Sequence, residues 1–338
     1  MSDIETIRIP HQQLVDRFTT ILIRKDMNAD DAHACAGVFA GNSLDGVHSH
    51  GYNRFFRFLE YLEKGFVKGS ARANRRKVLG SVEQWDGEQG PGPLNAILCT
   101  DRAVELARQH GISCVALANT NHWLRGGTYG WRAADKGVVL IAWSNTIANM
   151  PPWGGQSQKL GNNPLVIAVP RKSGHVVLDM AMSQYSYGAL QMHKMAGRQL
   201  EVDGGFDAEG KVTKDPEQIL RSGRVVPIGF WKGSALSLLL DILAVAFSAG
   251  LSTSQITNQG AEYNLSQVFI AIDLDAFSHT GPIQHALDQI LEDYSSAIPI
   301  DRSISIRYPG ENVLKARFDN TRLGIPLPKS FWEELQRM

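Results

Sequence analysis

The sequence predicts an α/β protein, and three observations predict it. Residues 10–65 carry apolar side chains at helical spacing, and from about residue 77 short strands and amphipathic helices interleave. The order is not a regular βαβαβ succession, and neither standard glycine-rich phosphate loop is present, so a doubly wound nucleotide fold is not expected.

In the first segment Leu14, Phe18, Ile21 and Leu22 share one helical face. Asn28-Ala29-Asp30-Asp31 then opens a second helix through Ala34, Cys35, Val38 and Phe39. A third is expected from Asn53 to Lys64, burying Phe55, Phe58, Leu59 and Leu62 and stopping at Gly65. Val78-Leu79 and Val82 to Trp85 read as a hairpin. Pro93 to His110 is a helix ended by Gly111, followed by a strand from Ile112 to Leu117. A short helix, Gly127 to Lys136, precedes the strand Val138 to Trp143. Leu165 to Val169 and His175 to Met180 form two strands joined by a turn at Lys172-Ser173-Gly174. Gln184 to Met195 is helical, and the glycine-rich, charged stretch 197–225 reads as a long loop. A long helix from Gly233 to Ser248 follows, then a strand from Gln267 to Leu274 with Val268, Ile270, Ile272 and Leu274 on one face. Pro282 to Ser295 is amphipathic through Ile283, Leu287, Ile290 and Leu291, and Ser330 to Met338 closes the chain. No internal repeat, low-complexity tract or linker stands out.

The bulk numbers narrow the function classes. A chain of 338 residues with 43% hydrophobic and 20% charged side chains is long enough for roughly two domains at ~150 residues each. Lysine plus arginine equals aspartate plus glutamate at 34 each, so no net field draws it to nucleic acid or an anionic membrane. Cys35, Cys99 and Cys114 are far apart, which argues against a disulfide framework or a structural zinc site. The first residues lack the basic region and apolar run of a secretory leader. The greasiest stretch, Leu236 to Phe247, is interrupted by Asp241 and short of the ~20 apolar residues of a spanning helix. A cytoplasmic protein with no nucleic-acid or membrane partner is expected.

The chemistry concentrates at Ser49-His50-Gly51-Tyr52-Asn53-Arg54-Phe55. If this segment is helical, His50 and Arg54 are four apart and share a face. An imidazole hands over a proton near neutral pH, and a guanidinium holds a carboxylate in a fixed fork. That pairing suits reduction of an anionic keto compound; the same residues would also serve a helix boundary. Asn121-His122-Trp123 follows a strand end, where α/β proteins keep functional groups, with Arg125, Gly126 and Gly127 next. Trp231-Lys232-Gly233-Ser234 precedes the long helix, so free N–H groups and Lys232 could meet an anion, while Ser234 could simply be the helix cap. Lys159-Leu160-Gly161-Asn162-Asn163-Pro164 is a tight polar turn. Asp86-Gly87-Glu88-Gln89-Gly90-Pro91-Gly92-Pro93 is rejected as a dinucleotide fingerprint, because Asn95 replaces the third glycine and two prolines remove N–H groups. His48 and His50 lack further ligands at metal spacing, so no metal is expected.

Taken together these stretches resemble the type-2 malate/L-lactate dehydrogenase family, whose cofactor domain is not a Rossmann fold. The resemblance rests on Ser49-His50-Gly51 with Arg54, Asn121-His122, Gly161-Asn162-Asn163-Pro164, Leu178-Asp179-Met180-Ala181, Asp207-Ala208-Glu209-Gly210 with Thr213 and Asp215-Pro216, and Lys232-Gly233, and runs from residue ~10 to ~325. Gln84-Trp85-Asp86, Met150-Pro151-Pro152-Trp153-Gly154 and Ala196-Gly197-Arg198-Gln199-Leu200 resemble a branch that reduces a diketo sugar acid. Ala235 departs from the glycine that relatives often carry there.

The resemblance implies a mixed-sheet cofactor domain over 77–277, and a helical domain over 1–76 completed by 278–338. It implies a homodimer that uses NADH, with NADPH open, on a small-molecule sugar acid. His50 would be the proton donor, with Arg54 as the carboxylate clamp and His122 as a second donor. The cofactor would lie along His175, Val176, Val177, Leu178, Asp179, Met180 and Ala181, against Trp231 and Lys232, and near Gly310, Glu311 and Asn312. Ser49, Arg54 and Asn162 would meet the substrate. Malate, lactate or ureidoglycolate could replace the sugar acid, and a metal-dependent hydrolase or a sugar-acid binding protein stand as readings of other classes.

Overall fold

The computed structural model describes residues 5–277, 280–301 and 305–338; residues 1–4 of the expected 1–76 domain, and 278, 279 and 302–304 of the expected 278–338 segment, lie outside them. The chain opens with β1 (Thr6–Ile9), α1 (His11–Ile23), α2 (Ala29–Leu44) and α3 (Phe55–Glu63). β2 (Asn74–Leu79), β3 (Val82–Asp86), α4 (Gly92–His110), β4 (Ile112–Thr120), α5 (Gly127–Ala134) and β5 (Val138–Ser144) follow. Two short strands, β6 (Ala148–Met150) and β7 (Leu160–Gly161), lead to β8 (Leu165–Val169), β9 (Val176–Met180) and α6 (Tyr187–Met195). Next come β10 (Gly205–Phe206), β11 (Val212–Thr213), α7 (Pro216–Ser222), α8 (Trp231–Ser248), α9 (Thr253–Asn258) and β12 (Leu265–Asp273). The chain ends with α10 (Thr280–Ser295), α11 (Glu311–Leu323), β13 (Ile325–Pro328) and α12 (Lys329–Arg337).

α2 starts where its sequence says it should. The Asn28 side chain accepts the Asp31 N–H at 2.9 Å, and Asp30 and Asp31 sit in the positively polarised first turn. The three N-terminal helices meet through aromatic rings: Phe18 stacks on Phe55 with centroids 4.0 Å apart, and Phe39 meets Phe55 edge-on at 5.2 Å. Ile325, Leu327 and Leu335 enter the same core, because β13 pairs antiparallel with β1 and α12 follows it. α10 behaves differently from the rest of the predicted 278–338 segment. Asp288 pairs with Arg171 at 2.6 Å and Gln284 accepts the Lys172 N–H, so α10 lies on the β8–β9 turn.

Among the described residues one large sheet runs in the order β2-β3-β4-β12-β5-β8-β9. β3 and β4 are parallel and the other neighbours antiparallel, which makes the sheet mixed. α4 and α5 cover one face through Val104, Leu106, Tyr129 and Trp131, around Phe269 of the central strand. α8 covers the other, with Leu240 and Ala244 against Val268.

Several expectations are corrected. Residues 197–225 are not a bare loop: they hold the β10–β11 hairpin and α7, capped by Asp215, and Leu200, Ile219 and Val225 fill a core there. Few apolar residues at no fixed period left no local signal. α8 begins at Trp231, so Ser234 is inside the helix, where its Oγ accepts the Trp153 N–H at 3.0 Å rather than capping. By length and composition α8 is apolar enough to cross a membrane. It lays Gly233, Ser237, Leu240, Ala244 and Ser248 on the protein interior, and Asp241 accepts from Asn145 Nδ2 at 3.0 Å and the Thr253 N–H at 2.9 Å.

Candidate active site

The segment carrying His50 is not one helix. Single 3-10 turns, His48–His50 and Tyr52–Arg54, meet at Gly51 before α3 begins. Glycine is needed here for room: a Cβ on Gly51 would lie 2.3 Å from Ser43 Oγ, which accepts the Tyr52 N–H at 2.9 Å. Continuous helical geometry therefore does not bring His50 and Arg54 onto one face. Asn42 fixes the turn from below, donating to the His50 carbonyl at 2.8 Å while its Oδ1 accepts from Thr128 at 2.6 Å.

His122 lies in the loop after β4, and its ring is nearly parallel to that of His50, with centroids 5.8 Å apart and planes at 16°. The two imidazoles are held differently. His50 Nδ1 is 3.0 Å from Ser49 Oγ. His122 Nδ1 accepts the Leu124 N–H at 3.0 Å, a contact reached because Leu124 adopts φ +70°. An Nδ1 that accepts leaves the proton on Nε2, so His122 presents a neutral N–H. Burial lowers the pKa of His50 to about 4, assisted by Arg54 and opposed by Asp179. Burial holds His122 well below the ordinary imidazole value, and Arg54, His50 and Arg57 push the same way.

Arg54 is not free. Its Nη2 donates to Glu262 Oε2 at 3.0 Å, and both side chains are largely shielded from solvent. A second set of charges lies behind His50. Asp45 is buried and accepts from Arg125 Nη1 at 2.6 Å and from Arg317 Nε at 2.7 Å, while Arg317 stacks over Trp131 at 4.7 Å. Arg125 Nε is 3.5 Å from Asp179 Oδ2, which also accepts the Gly127 N–H at 2.8 Å. Asp45 thus links the end of α2, the loop before α5, strand β9 and α11.

The remaining sequence-predicted positions cluster along β9. Among the described residues it is an edge strand, with no strand neighbour on one side of Val176 to Met180. At one end Val177 donates to the Pro309 carbonyl at 2.9 Å, and Gly310 sits at φ +100°, where a Cβ would be 3.2 Å from Val177 N. Glu311 and Asn312 open α11 from there. At the other end, beyond Ala181, Met182 accepts the Ile228 N–H at 2.8 Å, which brings Trp231 and Lys232 close by in sequence and places α8's N-terminus near. The Asn162 carbonyl accepts the Met182 N–H at 2.8 Å, and its side chain accepts from Thr146 at 3.1 Å. His175 has both ring nitrogens engaged, with the Arg171 N–H at 3.1 Å and Asp135 at 3.0 Å. Asp45, Glu262 and the Leu124 N–H escaped the sequence reading. Glu262 lies 208 positions from Arg54, and no local pattern joins them. Among the described residues no three His, Cys, Asp or Glu side chains group as a metal set.

Residues 9–336 match the sequence profile of malate/L-lactate dehydrogenase. The chain belongs to that dehydrogenase family. The 2,3-diketo-L-gulonate reductase of Citrobacter koseri is 43% identical over 333 residues, covering 98% of this chain and 100% of that protein. The enzyme of the same name from Escherichia coli O127:H6 is 44% identical over 334 residues, with coverage of 98% and 100%. Among solved structures, malate dehydrogenase from Pyrococcus horikoshii superposes with a TM-score of 0.88 at 26% identity, covering 100% of this chain and 96% of that one. This member of the malate/L-lactate dehydrogenase family is an oxidoreductase, and the family implies a nicotinamide cofactor.

Proposed function

We propose that this dehydrogenase reduces 2,3-diketo-L-gulonate to 3-dehydro-L-gulonate with NADH, with His50 as proton donor. The observation that carries the reading is the stacked, half-buried His50–His122 pair near the Arg54–Glu262 ion pair. The full-length likeness to reductases of that name supports the substrate.

The reduced nicotinamide, when bound, supplies a hydride to the C2 carbonyl carbon. The edge of β9, the Gly310 turn and the start of α8 are the residues that would hold it. An extended backbone edge ending at a glycine, whose φ of +100° and close approach to Val177 disfavour a side chain, fits an extended dinucleotide. His175 would contribute through its backbone, since its ring is engaged. Asp179 would hold the Gly127 turn in register with β9.

Negative charge grows on the carbonyl oxygen, and His50 Nε2 gives it a proton while Ser49 orients the ring through Nδ1. His122 Nε2–H donates to the same oxygen or its neighbour without changing charge. Arg54 retains donors beyond the one on Glu262 for the substrate carboxylate. An anion arriving beside His50 raises the imidazole pKa, so the donor charges as the substrate binds. Residues 77–277 would then be the cofactor and substrate domain, and 1–76, with β13 and α12, the lid that carries His50 and Arg54.

We also read the protein as a homodimer. Leu238, Leu239, Ile242, Leu243 and Phe247 stand exposed on α8, and Gln84 Nε2 donates to the Phe247 carbonyl at 2.7 Å, joining that face to exposed Val78, Leu79 and Val82. Sedimentation at micromolar concentration should give twice the 37.2 kDa chain mass.

The deciding test is NADH absorbance at neutral pH with 2,3-diketo-L-gulonate and EDTA present. Oxidation that depends on the sugar acid is the expected result. No oxidation, with simple α-keto acids also inert, would remove the assigned chemistry and leave the family fold standing.

A further inference from the structure

The charges at this site come in pairs, and that bears on which acid it accepts. Arg54 is neutralised by Glu262 at 3.0 Å. Arg125 and Arg317 are matched by Asp45 and Asp179. His50 and His122 are both held uncharged. Arg57 is a further cation near His122, its Nη2 directed to Tyr61 Oη at 3.1 Å, and Lys64 nearby is matched by Glu60. A nearly neutral pocket with one guanidinium to share suits one carboxylate and resists two.

Glu262 itself is only half used. Oε2 takes the Arg54 bond, whereas Oε1 accepts no hydrogen bond among the described residues. Its backbone N–H points to Tyr61 Oη at 3.4 Å, which fixes the residue beside α3. Along the outer side of α3 a cavity of about 580 Å³ opens, lined by Phe56, Arg57, Tyr61, the Glu60–Lys64 ion pair and Ala261, the residue before Glu262. A carboxylate oxygen with spare lone pairs, one residue from the lining of a mixed-polarity cavity, is an acceptor for hydroxyl hydrogens. The same oxygen repels a second carboxylate placed there.

We infer that Glu262 is the specificity-determining residue of this site, selecting polyhydroxy monocarboxylate keto acids and rejecting dicarboxylates. The Arg54–Glu262 pair then meets the substrate as a unit, Arg54 donating to the carboxylate and Glu262 accepting from a hydroxyl of the tail. This rests on the reductase reading above, and it adds the substrate class and the residue that sets it.

The test compares kcat/KM for 2,3-diketo-L-gulonate, pyruvate and oxaloacetate in the wild-type enzyme, Glu262→Gln and Glu262→Asp. Glu262→Gln keeps an oxygen for Arg54 and removes the charge. It should lower the sugar-acid value by roughly tenfold and raise the oxaloacetate value by roughly tenfold, with pyruvate moving least. Glu262→Asp should keep the preference of the wild type, since it keeps the charge. Inhibition by malonate, a dianion with no reducible carbonyl, should strengthen in Glu262→Gln even if turnover is poor. An unchanged ratio of sugar acid to oxaloacetate, together with unchanged malonate inhibition, overturns the inference while the reductase stands. A wild-type enzyme inert with all three acids overturns the reductase reading and this inference with it.

Discussion

Two sides of the site handle charge in opposite ways. On the imidazole side His50 and His122 are half-buried, held toward the neutral form and tied to a hydroxyl and a backbone N–H. On the other side Arg54, Glu262, Arg125, Asp45, Arg317 and Asp179 are charged and paired. On the proposed mechanism, the contrast keeps proton transfer apart from charge compensation. Buried ions are expensive unless matched, so the fixed charges cancel each other and leave the histidines to respond to the substrate.

The comparison breaks most sharply at His50. His50→Ala should lower kcat for reduction by about 10²–10⁴-fold while NADH affinity, measured by fluorescence titration, stays close to the wild type. Unimpaired turnover would move the proton donor elsewhere.

On the paired side the largest effect belongs to Asp45. Asp45→Ala strands Arg125 and Arg317 without their shared acceptor and should cost roughly 3–5 kcal/mol in urea denaturation. A loss under about 1 kcal/mol would mean that the chain of charges is solvated and holds little together.

His122 separates donor geometry from proton transfer. His122→Gln places an N–H where Nε2 stood and should retain most activity, whereas His122→Phe should lose roughly 10²-fold in kcat. Equal loss in both would show that His122 itself transfers the proton.

The most diagnostic effect is the pH profile. The pKa of His50 is lowered to about 4 in the free enzyme. Because kcat/KM reports the free enzyme and reduction needs the protonated ring, kcat/KM should fall steadily as pH rises from 5 to 8. A plateau up to about 6.5 would show an ordinary, solvated imidazole. Stability runs the other way: the unfolded chain binds more protons below its pKa of about 6.5, so stability is full above that pH and declines toward 4.

Much of this was legible locally. Leu14, Phe18, Phe39 and Phe55 were assigned to a buried face and form the aromatic core. Strands such as Leu165 to Val169 appear where alternation put them. α11 and the β1–β13 pair were missed: the first is polar along most of its length, and the second joins four-residue strands from opposite ends of the chain.

By itself the sequence determined the helical and strand segments with strong periodicity, the rejection of a fingerprint loop at Asp86 to Pro93, and the candidate residues for the proposed chemistry. Period and composition act over a turn or a strand, and they are written in consecutive residues. Only the tertiary structure decided that Arg54 meets Glu262 across 208 positions, that Asp45 meets Arg317 across 272, and that the Leu124 N–H sets the tautomer of His122. Those contacts depend on sheet order and on a left-handed turn, and the whole fold must be in register before either exists.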